Sequence, residues 1–313
     1  MSYPKVTVVG AGNVGATAAF LLLMHDVADV VLVDVVEGLP QGKALDMMHA
    51  RSVERFGPHI VGTNDYADTA GSDVVIITAG LPRKPGMSRD DLLALNSEIV
   101  RSVVERVAVA SPEAVLLCVT NPLDVMTYLA WTVSGFSPSR VIGMGGVLDT
   151  ARFAFAIAEE TGEPIGAIDA LVVGAHGDAM VPLPDHATVG GRPLHEVVAP
   201  ERVDALVERT VNGGAEVVGL LKSGSAFYAP AASVVRMARA VLGDTGETIS
   251  SCVLLTGQYG IDDVYVSVPA VLGRLGVRSV PEMPLTPDEL GTLRASAATV
   301  AETLDPLGLR SRA

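Results

Sequence analysis

The stretch Lys5-Val-Thr-Val-Val-Gly-Ala-Gly-Asn-Val-Gly15 decides the fold. Its first five residues form the short β-branched run of a buried strand, and a helical pattern begins at Val14. Between them, Gly10 permits a tight turn, Gly12 lets the backbone approach a diphosphate at the helix N-terminus, and Gly15 lets the helix pack against the strand. Strand, glycines and helix in this order predict a dinucleotide site formed by Gly10, Ala11, Gly12, Asn13, Val14 and Gly15.

An acidic residue follows at the spacing that such a site requires. Asp34 ends the second predicted strand, Asp29 to Val33, about 20 residues beyond the glycines. There a carboxylate accepts hydrogen bonds from an adenosine ribose and repels a 2′-phosphate, so NAD is favoured over NADP. The alternative is a strand-end aspartate that only stabilises a turn.

Strand and helix patterns alternate from Lys5 to Ile142, and Asp73 to Thr78 is a continuous apolar run of the kind that is buried on both faces. This alternation predicts an α/β fold, a doubly wound parallel sheet of the Rossmann type. The regular alternation of strand and helix patterns ends after about Gly145. We therefore predict a dinucleotide-binding domain over residues 1–144 and a second, α+β catalytic or substrate domain over residues 145–313.

Composition excludes several classes of function. The 313-residue chain has a net charge of −14 and only 4% aromatic residues, which argues against a nucleic-acid partner. Its longest apolar stretch, Ala16 to Met24, is too short to cross a membrane. Cys118 and Cys252 lie in apolar runs, and two buried, reduced thiols are too few for a zinc cluster. We expect a cytoplasmic protein without a metal site.

Three segments of the chain carry candidate chemistry. His176 lies in Gly174-Ala-His-Gly-Asp178, where small neighbours let reactants approach an imidazole. Asp149 and Arg152 are three residues apart on a predicted helix; they form either an ordinary intrahelical ion pair or two groups that face a site. Arg83 and Arg89 lie in a loop rich in Gly and Pro, which indicates either a lid that brings cations to an anion or a solvated basic loop.

Taken together, these segments resemble the malate and lactate dehydrogenase family, and within it the lactate dehydrogenase-like malate dehydrogenase branch. The matching motifs occur in the family's order along nearly the whole chain. They are Gly10–Gly15, Asp34, Gly80-Leu-Pro-Arg83-Lys-Pro-Gly-Met-Ser-Arg89, Val119-Thr-Asn-Pro122, Leu148-Asp-Thr-Ala-Arg152, Gly174–Asp178 and Gly224-Ser-Ala-Phe-Tyr-Ala-Pro230.

The resemblance implies a role for each polar residue of the site. His176 is the proton donor and acceptor, and Asp149 orients its ring. Arg152 binds the C1 carboxylate of the substrate, and Arg89 polarises the reacting carbonyl. Arg83 stands where the family separates four-carbon diacids from pyruvate, because an arginine there pairs with a second carboxylate that would otherwise be buried alone.

The resemblance also implies the cofactor contacts and the reaction. Asn121 contacts substrate and nicotinamide, and Asn96, Val119 and Thr120 help to hold the cofactor. The implied reaction is reversible NAD-dependent oxidation of the dicarboxylate (S)-malate to oxaloacetate, by a homotetramer or homodimer. Two alternatives stay open: an L-lactate dehydrogenase of the same fold, and a catalytically silent NAD-binding protein.

Overall fold

The structure, a computed structural model, describes residues 3–81 and 89–309. The first part of the chain alternates strands and helices as the sequence predicts, with one additional strand, Ile60–Thr63, that was not predicted. The strands are β1 (Lys5–Val9), β2 (Asp29–Val33), β3 (Ile60–Thr63), β4 (Val74–Ile77), β5 (Val115–Cys118) and β6 (Val141–Gly143). The helices are α1 (Asn13–Met24), α2 (Leu39–Glu54), α3 (Arg89–Ala110) and α4 (Leu123–Ser134).

The six strands pair with one another in parallel, in the order β3-β2-β1-β4-β5-β6. The order reverses at β1, which lies between β2 and β4, as in a doubly wound sheet. The inner strands β4 and β5 are apolar throughout and wholly buried, as expected where helices cover both faces of a sheet. The predicted Rossmann-type fold is confirmed.

In the second part of the chain, strands and helices do not alternate regularly. Its helices are α5 (Gly146–Thr161), α6 (Leu194–Val197), α7 (Pro200–Leu221), α8 (Tyr228–Leu242) and α9 (Pro287–Leu304). Its strands are β7 (Ile168–Asp169), β8 (Val172–Gly174), β9 (Met180–Pro182), β10 (Thr188–Val189), β11 (Arg192–Pro193), β12 (Thr248–Thr256), β13 (Asp262–Gly273) and β14 (Gly276–Ser279). The strands β12, β13, β8 and β9 pair antiparallel in that order, and β11, β10 and β7 form a small separate sheet.

The chain forms two compact units. One consists of Met1–Met144, Phe227–Glu247 and Leu272–Arg278; the other consists of Gly145–Ala226, Thr248–Val271 and Ser279–Ala313. Helix α8 belongs to the first unit because it packs against α1, β4 and β5. In the second unit, Phe153, Ile157 and Leu194 belong to a buried apolar cluster that α5 and α7 cover.

Two elements differ from the sequence pattern for clear reasons. The run Ile168 to Val173 predicts one strand but forms two, since Ile168 and Asp169 pair with β10 whereas Val172–Gly174 pairs with β9. Helix α7 is predicted to end at Asn212 but continues to Leu221. Within the described residues, no helix combines the length and apolar character needed to span a membrane.

Candidate active site

The glycine-rich loop has the conformation that its sequence predicts. Gly10 has φ +104°, a region that residues with a Cβ rarely adopt, and a Cβ there would lie 2.7 Å from Oγ1 of Thr78. A Cβ on Gly15 would overlap the carbonyl oxygen of Gly10. At Gly12, by contrast, nothing lies within 4 Å of the position that a Cβ would occupy. The first and third glycines therefore allow the loop to close, and the second leaves open space in front of the backbone.

The N-terminus of α1 is suited to an anion. No side chain caps its first N–H groups, and its first turn contains no acidic residue. Unpaired N–H groups and the positive end of the helix dipole favour a negatively charged ligand at this position. Gly12, at the N-cap, and Asn13, the first helical residue, are both exposed.

Two charged side chains hold Ala11 from opposite sides. Oδ2 of Asp34 accepts from the Ala11 N–H at 2.7 Å, and Nζ of Lys43 on α2 donates to the Ala11 carbonyl at 2.7 Å. Oδ1 of Asp34 also accepts from Val36 N–H at 2.9 Å, and a carboxylate with two such bonds keeps lone pairs for ribose hydroxyls. The sequence predicts the position of Asp34 but carries no signal for Lys43, a single lysine on a helix surface.

The predicted cofactor residues after β4 and β5 lie together in the first unit. Asn96 is 1% exposed; its Oδ1 accepts from Leu81 N–H at 2.8 Å, and its Nδ2 donates to the Asn121 carbonyl at 2.7 Å. Thr120 donates through Oγ1 to the Ala79 carbonyl at 2.7 Å. Val119 is buried and Asn121 is exposed. Asn96 and Thr120 thus connect the two loops to each other through backbone groups.

The predicted proton carrier and its predicted partner are in direct contact. Nδ1 of His176 lies 2.8 Å from Oδ2 of Asp149, while Oδ1 of the same carboxylate accepts from Nη1 of Arg152 at 3.2 Å. Asp149 is 1% exposed, and the side chains of His176 and Arg152 are 14% and 20% exposed. A buried carboxylate between two potential cations is not the solvated ion pair that three-residue spacing usually produces.

Gly213 leaves room for Arg152, and the neighbouring Gly214 faces the same side chain at ordinary van der Waals distance. A Cβ on Gly213 would lie 3.2 Å from Cδ of Arg152, and one on Gly214 would lie 3.6 Å from Nη2. Both glycines are inside α7, where glycine is about 1 kcal/mol less favourable than alanine. Sequence reasoning missed them because a Gly-Gly pair usually indicates the end of a helix.

The loop that carries His176 joins the antiparallel neighbours β8 and β9, whose last pair is Gly174 with Met180. Gly174 and Gly177 have φ of +89° and +103°. Oγ of Ser296, on α9, accepts from the Ala175 N–H at 2.8 Å and donates to the Ala179 carbonyl at 2.6 Å. Sequence reasoning missed Ser296 as well, since nothing local to α9 distinguishes it.

Some predicted groups are not part of the described structure. Arg83 lies outside the described residues, and the side chain of Arg89, the first residue of α3, is likewise not described. Elsewhere, His195 pairs with Asp185 at 2.7 Å in an exposed position. Within residues 3–81 and 89–309, no three His, Cys, Asp or Glu side chains are arranged to hold a metal ion.

Comparison with known protein families settles what this chain is related to. Residues 4–143 match the lactate/malate dehydrogenase NAD binding domain, and residues 146–307 match the alpha/beta C-terminal domain of the same family. The chain belongs to the lactate/malate dehydrogenase family. The resemblance inferred from the motifs is confirmed, and with it the prediction of an NAD-binding domain.

Family members of known name are similar over nearly their whole length. The malate dehydrogenase of Roseiflexus castenholzii is 49% identical over 97% of this chain and 98% of its own. That of Chloroherpeton thalassium is 52% identical over 96% and 97%. Among solved structures, the malate dehydrogenase of Salinibacter ruber is 48% identical over 97% of each chain, with a TM-score of 0.93.

Lactate dehydrogenases of the family share the fold at lower identity. The lactate dehydrogenase of Cryptosporidium parvum, solved with lactic acid and nicotinamide adenine dinucleotide, is 40% identical over 97% of this chain and 99% of its own, with a TM-score of 0.93. The fold alone therefore does not distinguish the substrate within this oxidoreductase family.

The residues of the first unit fit the family's cofactor. The open face at Gly12 and the uncapped N-terminus of α1 suit a diphosphate, and the partly exposed carboxylate of Asp34 suits ribose hydroxyls. Its negative charge disfavours a 2′-phosphate, in agreement with NAD.

Proposed function

We propose that this protein is an NAD-dependent malate dehydrogenase that interconverts (S)-malate and oxaloacetate. The observation that carries the proposal is the contact of His176 with a buried carboxylate that also binds Arg152, in a chain whose relatives at about half identity are malate dehydrogenases. A histidine beside a carboxylate moves a proton, and an arginine beside it binds an anionic substrate.

The roles of the second unit follow from its hydrogen bonds. Asp149 accepts from Nδ1–H of His176, so proton transfer to and from the substrate falls to Nε2. In the direction of malate oxidation, His176 takes the C2 hydroxyl proton, and Asp149 stabilises the imidazolium that forms. The N–H groups of Arg152 directed away from Asp149 bind the C1 carboxylate of the substrate.

The roles of the first unit are to bind and orient. The N–H groups at Gly12, Asn13 and Val14 would hold the diphosphate, and Asp34 would hold the ribose hydroxyls. Gly10, Ala11 and Gly15 would shape the loop, while Asn96, Val119, Thr120 and Asn121 would hold the nicotinamide half. NAD, when bound, supplies the acceptor for the hydride that leaves C2 of malate.

The choice of a dicarboxylate rests on Arg83. We propose that Arg83 pairs with the second carboxylate and that Arg89 polarises the carbonyl. An arginine that faces the methyl group of pyruvate would be left unpaired when water is excluded, so Arg83 penalises pyruvate as well as attracting oxaloacetate.

The test is the loss of reduced-nicotinamide absorbance with oxaloacetate and with pyruvate. We expect kcat/KM for oxaloacetate to exceed that for pyruvate by at least roughly 100-fold, and Arg83→Gln to narrow that ratio by at least roughly tenfold. Lys84→Gln removes the same charge from the neighbouring position and serves as the control. A preference for pyruvate would favour a lactate dehydrogenase, and NADH binding without turnover would favour a silent NAD-binding protein.

We further propose that residues 1–144 and 145–313 act as the dinucleotide-binding and catalytic domains, which agrees with the change of family model between residues 143 and 146. Family resemblance supports a homotetramer or homodimer, which light scattering after gel filtration would distinguish. The net charge of −14 and the two buried cysteines, which form no disulfide, support a cytoplasmic protein without nucleic-acid or membrane partners.

A further inference from the structure

Helix α9 provides a polar side chain to the catalytic loop. Ser296 is 5% exposed, and its hydroxyl accepts from the N–H of Ala175 and donates to the carbonyl of Ala179. These two residues are the first inside the last β8–β9 pair, Gly174 with Met180. One hydroxyl therefore bridges both ends of the loop that carries His176.

Two glycines and one backbone hydrogen bond also shape this loop. Gly174 and Gly177 have positive φ, and Met180 N–H donates to the Gly177 carbonyl at 3.0 Å. Asp149, the partner of His176, belongs to α5 rather than to this hairpin. The contact of 2.8 Å between Nδ1 and Oδ2 thus requires that the hairpin loop be held at a fixed distance from α5.

We propose that Ser296 is a positioning residue for the reaction, which acts through His176. Its bridge sets the path of residues 175–179 so that the imidazole meets Asp149 and presents Nε2 to the substrate. Ala175 is buried, so its N–H has no access to water if the hydroxyl is lost, and the loop must shift to satisfy it. The inference rests on the proposed role of His176.

The chain contains a matched control. Ser111 is 1% exposed, and its hydroxyl also accepts from one backbone N–H, that of Ser72 at 3.0 Å, and donates to one carbonyl, that of Thr69 at 2.7 Å. It lies in the first unit, whereas the His176 loop belongs to the second. Ser111→Ala and Ser296→Ala therefore each remove one hydrogen bond from a backbone N–H and one to a backbone carbonyl. Both substitutions should lower Tm by a similar amount.

Steady-state kinetics then separates positioning from stability. We expect Ser296→Ala to lower kcat by roughly 10- to 100-fold, since small misplacement of a catalytic group is costly, while Ser111→Ala retains kcat within about twofold. Ser296→Ala should add little to Asp149→Asn, because both act on the same imidazole. A normal kcat in Ser296→Ala would overturn the proposal. So would a double variant, Ser296→Ala with Asp149→Asn, whose loss of kcat equals the product of the losses in the two single variants.

Two further measurements keep the test decisive. Ser296→Cys places a slightly larger thiol at the same position and weakens both hydrogen bonds. If the alanine variant does not fold, a normal kcat in the cysteine variant refutes the role. The rate at which diethyl pyrocarbonate modifies His176 does not depend on turnover, and we expect it to rise several-fold in Ser296→Ala but not in Ser111→Ala. An unchanged rate of His176 modification in Ser296→Ala overturns the inference, whether or not the wild-type protein is active. A wild-type protein that acts on neither oxaloacetate nor pyruvate would refute the proposed function separately.

Discussion

Replacing Asp149 by asparagine tests the core of the proposed mechanism. The carboxylate accepts two hydrogen bonds, from Nδ1 of His176 at 2.8 Å and from Nη1 of Arg152 at 3.2 Å. An asparagine has one acceptor oxygen and one amide nitrogen that only donates. If the amide oxygen faces His176, the amide nitrogen faces the N–H donor of Arg152. If the amide oxygen instead faces Arg152, the amide nitrogen donates to Nδ1 of His176. His176 then carries its proton on Nε2 and cannot accept the substrate's proton there.

The magnitude follows from the charge that is lost. A carboxylate and an imidazolium with centres about 4 Å apart interact by about 4 kcal/mol at an effective permittivity of about 20. Asp149 is almost fully buried, so this interaction is only weakly screened. In the substituted enzyme the imidazolium loses this stabilisation, and kcat/KM should fall by about 1,000-fold in both directions of the reaction.

The assay is reduced-nicotinamide absorbance in both directions, with NADH affinity measured separately by fluorescence. NADH affinity should not change, because Asp149 is not among the proposed cofactor residues. Asp185→Asn is the matched control, since Asp185 pairs with His195 at 2.7 Å, but both side chains are exposed, by 57% and 42%. Turnover by Asp149→Asn within about threefold of wild type, or an equal loss in Asp185→Asn, would refute the reasoning.

Two further predictions concern the first unit. Lys43→Met should raise the Kd for NADH roughly tenfold with little change in kcat, because the Ala11–Gly12 peptide loses the ammonium that holds its carbonyl. The control is Lys5→Met, which removes a lysine from the carbonyls of Asp68 and Ala70 and should leave the Kd for NADH unchanged. Equal effects of the two substitutions on this Kd would contradict the prediction. Burial raises the pKa of the Cys118 thiol from 9.0 to about 12. A thiol reagent at pH 8 should therefore not modify Cys118 until the protein unfolds. The free energy of unfolding should also fall as pH rises from about 9 towards 12, because the thiol ionises at lower pH in the unfolded protein than in the folded one. Rapid modification of native Cys118 at pH 8 would show that it is not buried.

The features that the sequence predicted are those whose physical cause is local. The positive φ of Gly10 belongs to its own turn, and a Cβ on Gly15 would overlap the carbonyl oxygen of Gly10 five residues earlier. The loop could therefore be predicted from its own short sequence. Asp34 follows at a spacing that the strand and helix lengths determine. The doubly wound sheet is likewise encoded by apolar runs that are short enough to be strands.

The features that the sequence did not predict depend on contacts between distant segments. Ala175 and Ser296 are 121 positions apart, and no pattern in α9 indicates which hydroxyl faces a loop. The helix was predicted to end at Asn212, but α7 continues past Gly213, where a Cβ would lie 3.2 Å from Cδ of Arg152 on another helix. A sequence shows that a helix contains glycine, but only the packed structure shows which side chain the glycine accommodates.

The charges around Asp149 explain how substrate binding and proton transfer support each other. With His176 neutral, the carboxylate and the guanidinium of Arg152 cancel, so the cluster can remain buried. On the proposed roles, the C1 carboxylate of the substrate adds one negative charge, and a proton on His176 restores neutrality. The bound anion therefore stabilises the protonated imidazole, which is the form that oxaloacetate reduction requires and that malate oxidation produces. Arg152, the proposed substrate ligand, thus shares the carboxylate of Asp149 with the proposed proton carrier, and the two side chains belong to one electrostatic unit.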